Sequence, residues 1–75
     1  MRKYKVVVNR NTPIGYQRYT YSFHTYHFAY KRFYKIYKSG DNNIDAVKLQ
    51  KWYKKDEDYH TINLWYPGMR THNLW

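Results

Sequence analysis

The sequence predicts an α+β domain. Its expected chain order is β-β-α-β-β, folded into two layers: one antiparallel sheet with one amphipathic helix across a face. Three observations lead there. Apolar and polar residues alternate with period two on both sides of the chain's middle, the period becomes helical between Thr25 and Lys38, and Asn, Pro and Gly gather at the joints. One helix laid on one sheet is the simplest way to bury both apolar faces.

The elements follow in order. Lys3–Arg10 reads as a strand with Tyr4, Val6 and Val8 on one face and Lys3, Lys5, Val7 and Asn9 on the other. Asn9 to Gly15 is turn chemistry, with Asn and Gly tolerating positive φ and Pro13 fixing its own φ. Gln17–Phe23 alternates again: Tyr19, Tyr21 and Phe23 share a face, and Arg18, Thr20 and Ser22 share the other. The two segments are expected to pair as a hairpin with a long loop.

From Thr25 to Lys38, Tyr26, Tyr30, Phe33 and Tyr37 recur at i, i+4, i+7 and i+11, one stripe of a helix widened by Ala29, Ile36 and Tyr34. Ser22 or Thr25 is placed to cap its start, and Ser39-Gly40 to stop it. Residues 46–54 fit a strand better than a helix, because Val47, Leu49 and Tyr53 share a strand face with only Lys51 out of place. After the polar turn at 55–58 comes a strand over 59–66, with Ile62, Leu64 and Tyr66 on one face. The helix stripe is expected to meet Val6, Val8, Tyr19, Tyr21, Ile62 and Leu64. Residues 67–75 are expected to be a flexible tail, unless Trp75 docks on the core or on a second subunit.

Seventy-five residues allow one domain, taken as 1–75. Leu, Ile, Val and Phe supply only 14 of them, close to the composition of disordered chains. The 17 aromatics, 11 of them Tyr, restore a core, since each ring buries roughly 150–250 Å². So small a core makes dimerisation, or sheet extension through an exposed edge, a useful source of stability. With no cysteine there is neither a disulfide framework nor a thiolate metal site. The absence of an 18-residue apolar run or a signal-like segment points to a cytoplasmic protein.

Charge is the guide to function. The net charge is +9. Residues 1–40 hold nine basic residues and no acid, whereas all five acids fall between Asp41 and Asp58. Such asymmetry points to a polyanion, with mere solubility as the plainer alternative. On the helix, His24, Lys31, Lys35 and Lys38 fall within about 60° of one another at 100° per residue. Phe28 lies beside them and Arg32 beyond it. Lysines neutralise phosphates, and an exposed ring stacks on a base. Lys3, Lys5 and Arg18 are expected to form a second basic patch on the open side of the sheet, and Arg10 joins these three as a candidate phosphate contact.

Other chemistries are weaker. His24-x-x-His27 with His60 or His72 has metal-ligand spacing but no carboxylate nearby, so no metal or other cofactor is expected. His24, His27 and His60 with Arg18 supply residue types that a metal-independent ribonuclease needs. No RNP1-like run, GXXG loop, P-loop or zinc-finger spacing occurs. The exposed helix face offers Lys rather than the Arg, Asn and Gln that read base edges, which favours backbone contacts and single strands over duplex readout.

The stretches Tyr26-His-Phe-Ala-Tyr-Lys-Arg-Phe-Tyr-Lys-Ile-Tyr37 and Asp41-Asn-Asn-Ile44 resemble, in composition, the small Lys/Tyr/Asn-rich accessory proteins of tailed bacteriophages. That resemblance implies a host-takeover or counter-defence role in the bacterial cytoplasm. The partner it implies is a host or defence protein that handles nucleic acid. The expectation carried forward is a non-enzymatic, basic, RNA-favouring nucleic-acid-binding domain, with a pure protein–protein inhibitor as the alternative and a small ribonuclease third.

Overall fold

The computed structural model describes residues 2–67 and shows an α+β fold with a four-stranded antiparallel sheet and one helix. The elements are β1 (Tyr4–Thr12), β2 (Gly15–Phe23), α1 (Tyr26–Tyr37), β3 (Ile44–Tyr53) and β4 (Asp58–Trp65). The strand order is β2-β1-β3-β4, so α1 crosses over β1 to join two strands that run parallel on either side of it. The expected tail at 67–75 lies outside the described residues except for Pro67.

The first hairpin is tighter than its turn-rich sequence suggests. Pairing continues to Thr12↔Gly15, leaving only Pro13 and Ile14 as the loop. Gly15 adopts φ +136°, a conformation that a side chain disfavours, and its carbonyl accepts the Thr12 hydroxyl at 2.7 Å. Backbone pairing along the whole of Asn9–Thr12 outweighs the local turn preference of these residues. Thr25 occupies the N-cap position of α1 in extended conformation but makes no side-chain cap bond. The second hairpin closes through Lys54–Glu57, with Glu57 at φ +49°.

The core lies between α1 and the sheet. Val6 and Val8 from β1, Ala29, Phe33 and Tyr37 from α1, and Ile44, Val47 and Leu49 from β3 are all buried in one cluster. Tyr4, Phe23, Tyr30, Ile36, Ile62 and Trp65 pack around it. The helical stripe thus buries its Ala29–Phe33–Tyr37 line most fully, while Tyr26 stays 41% exposed.

Three expected core positions are corrected. Tyr19 and Tyr21 do face the helix side, but α1 sits mainly over β1 and β3, so both remain exposed. Leu64 points to the open side. A bulge between Leu49 and Gln50 pairs Asn63 with Leu49 and Thr61 with Gln50, leaving Ile62 as the extra residue. Leu64 then pairs with Lys48 of the open face, and Asn63 and Trp65 take the inward places. Tyr66 falls beyond β4 and is exposed. β3 also starts two residues before the expected boundary, because Ile44 turns inward through a second bulge beside Asn9 and Arg10.

Candidate nucleic-acid interface

Both expected basic patches can be placed on the fold. Phe28, Lys31, Arg32, Lys35 and Lys38 lie on α1 and line one open hollow of about 870 Å³. Phe23, Tyr30 and Tyr34 complete its wall. The clustering follows from helix geometry. Phe28 precedes Lys31 and Arg32 by three and four residues, and Lys31 precedes Tyr34 and Lys35 by the same steps. Phe28 is 59% exposed and Tyr34 is 47% exposed, so the hollow presents open ring surface.

Electrostatics distinguish this face. α1 carries no acidic residue, so its i,i+4 Lys31–Lys35 pair has no counter-charge on the helix. Arg32 turns toward β2, its guanidinium carbon 4.8 Å from the Tyr21 ring centre and 5.9 Å from that of Phe23. The Lys38 ammonium stands 5.7 Å and 5.8 Å from the ring centres of Tyr34 and Tyr37. Arg32 and Lys38 therefore lean on aromatic rings, which favours these positions without neutralising their charge. Lys35 in the last turn also opposes the negative helix C-terminus.

A second hollow of about 580 Å³ runs between α1 and β2, where the exposed Tyr19 and Tyr21 meet Arg32, Lys35 and Arg10. Arg10 lies on this helix side, apart from the three residues it was grouped with. Its Nε and Nη2 each reach the Asp41 Oδ2 at 3.1 Å, so its charge is already matched. Lys5 and Arg18 project from the opposite face of the sheet, with Lys3 just before β1.

The histidines are dispersed. His24 follows β2 and His27 lies in the first turn of α1. His60 is on the far edge strand β4, separated from β2 by three strand spacings of about 4.8 Å. Its Nε2 is 2.9 Å from Asp56 Oδ2. The geometry does not bring His60 to His24 or His27, and His72 lies outside the described residues. No group of three or more metal-ligating side chains occurs among the described residues.

Sequence reading missed Phe23 and Tyr34 as walls of the hollow, and Lys48, Trp52 and Tyr59 on the open face. Period two in β3 already aligned Lys48 with Trp52. Only strand pairing could place Tyr59 beside Trp52.

Comparisons with protein-family models, curated proteins and solved structures find no match for the chain. No helix among the described residues is long and apolar enough to cross a membrane.

Proposed function

We propose that this chain is a non-enzymatic nucleic-acid-binding domain that takes single-stranded RNA in preference to duplex DNA, using the solvent face of α1. One observation carries the reading: Phe28 is more than half exposed in the hollow that Lys31, Arg32, Lys35 and Lys38 line, on a helix with no carboxylate. Four cations supply phosphate attraction, and each phosphate neutralised releases a counterion. The exposed ring supplies base stacking, which requires an unpaired base and so favours single strands. Bound in the active groove of a nucleic-acid-handling enzyme of a host or defence system, the same face would act as an inhibitor.

A second reading rests on the β2 edge. Among the described residues this strand is paired on one side only, and Tyr16, Tyr19 and Tyr21 are exposed along it, next to Ile14 at the hairpin tip. An edge of that kind accepts a partner strand, which is the contact a pure protein inhibitor would use.

The deciding experiment is binding of a fluorescent single-stranded RNA across a salt series, beside recovery of partners from a lysate. The expected result is RNA binding whose affinity falls steeply with salt, and RNA released from the isolated protein by high salt. Failure to bind RNA at low salt, with recovery of a stoichiometric protein instead, would favour the second reading.

A further inference from the structure

We propose that the open face of the sheet is a second polyanion-binding surface, and that one chain holds two nucleic-acid strands at once, one on each face. The inference rests on the reading of the α1 face as a nucleic-acid interface and extends it to bridging.

Strand register builds the second face. Val7 pairs with Thr20 on one side and Lys48 on the other, while Lys5 precedes it by two residues on the same face of β1 and Arg18 stands diagonally across on β2. Val7 is only 3% exposed although α1 lies on the other side, so side chains of its own face must cover it. Lysine and arginine stems do this while their charged ends stay in water. Lys5 and Lys48 are diagonal neighbours, a spacing of roughly 7–8 Å, and neither is in an ion pair among the described residues. Lys5, Arg18 and Lys48, none of them ion-paired among the described residues, crowd one apolar residue at an electrostatic cost that a bound polyanion removes.

Aromatic rings flank Lys5 on this face. Trp52 and Tyr59 pair across β3 and β4 on this face, edge to face with ring centres 5.1 Å apart. The Lys5 ammonium sits 4.0 Å from the Tyr59 ring centre, and the Tyr59 hydroxyl donates to the Arg2 carbonyl at 2.7 Å. The open face therefore repeats the composition of the α1 face: cations beside rings, with Lys5 held against Tyr59.

The acids sit elsewhere. Asp56, Glu57 and Asp58 are at the β3–β4 turn, and Asp41 and Asp45 are at the other end of β3. Two cationic faces with acids at the poles favour binding on the faces. The shortest dimension of the molecule is 20 Å. That exceeds two Debye lengths of about 8 Å at physiological salt, so a polyanion on one face scarcely repels a second on the other.

The test uses the full chain and two non-complementary hexanucleotides, one with a donor and one with an acceptor dye, each short enough to stay on one face. Energy transfer should rise as protein is added, peak near one chain per two strands, and fall in excess protein as each strand finds its own chain. Native mass measurement should find one chain with two strands. Lys5→Gln/Arg18→Gln/Lys48→Gln and Lys31→Gln/Lys35→Gln/Lys38→Gln, each checked for folding by circular dichroism, should each still bind one strand and lose energy transfer. Saturation of the unaltered protein at one strand per chain would overturn bridging and leave the α1 reading standing, as would full energy transfer in the sheet-face variant. No binding of either strand would overturn both.

Discussion

Arg10 and Asp41 close the loop between α1 and β3 onto β1. Both guanidinium contacts with Asp41 fall on its Oδ2, while Oδ1 accepts the Asn43 N–H at 2.9 Å, and the Asn11 N–H donates to the Asn43 carbonyl at 2.8 Å. One carboxylate thus shapes its own loop and anchors it to the neighbouring strand. Because Arg10 is spent on this anchor, it is a structural cation. A double-mutant cycle with Arg10→Gln and Asp41→Asn should give a coupling of about 0.5–1 kcal/mol, the upper part of the range for partly exposed pairs, and less in high salt. Arg10→Gln should lower RNA affinity less than Lys35→Gln does. The reverse order would return Arg10 to the interface.

Phe33 and Phe28 test which way the helix faces. Phe33 is fully buried against β1 and β3, whereas Phe28 faces solvent. Phe33→Ala should destabilise by about 3–5 kcal/mol, enough to unfold a domain this small. Phe28→Ala should change stability by no more than about 0.5 kcal/mol. Urea denaturation of both variants checks the pair; equal losses would mean that Phe28 is covered.

The same Phe28→Ala variant should lose RNA affinity, by about 1–3 kcal/mol if one base stacks on the ring. Replacing Lys31, Lys35 and Lys38 together by Gln should reduce the slope of log affinity against log salt by about 2, since each phosphate contact to a single strand contributes about 0.7. An unchanged slope in anisotropy titrations would move the principal site to Lys3, Lys5 and Arg18.

Among the described residues Asn63 is the buried polar side chain, 1% exposed, and its Oδ1 has no hydrogen-bond partner there. An unsatisfied buried carbonyl costs about 1–3 kcal/mol, so Asn63→Leu, which is similar in size, should stabilise the protein by about 1 kcal/mol. For a domain of this length that raises Tm by roughly 4–8 °C. A lower Tm would mean that the amide is needed by the bulge at Ile62.

Alkaline pH should destabilise the protein through the phenols of Tyr37 and Tyr26. Tyr37 is 8% exposed and stacks on Trp65 with ring centres 5.7 Å apart. Burial first, then Tyr30 and Tyr34, push its phenol above the usual 10.0. Burial, then Tyr30 and Tyr4, do the same to Tyr26. The folded chain then holds these protons more tightly than the unfolded chain. Their contribution is complete below about pH 10 and is lost as pH rises through the folded-state value. Tyr37→Phe should flatten the decline of stability above pH 10 in denaturant titrations. An identical decline would place the sensitivity in other groups.

Local pattern alone determined a good deal about this protein. The i, i+4, i+7 spacing from Tyr26 to Tyr37 specified a helix and put Phe33 inward, because side-chain direction follows from backbone period. The same period gathered Phe28, Lys31 and Lys35 outward. Alternation likewise placed Val6 and Val8 together, with Lys5 on the opposite face. Only the tertiary structure decided which strands became neighbours and where the helix came to rest. Val7 is ringed by Lys5, Arg18 and Lys48 because β1 lies between β2 and β3. Tyr19 and Tyr21 stay exposed because α1 settles over β1 and β3. The bulge at Ile62 reversed the expected face of Leu64, since one inserted residue inverts every later side chain in a strand. A residue's own neighbours in sequence set its direction. Which charge or ring stands opposite it depends on pairings between distant segments, and those are set by the packing of the whole core.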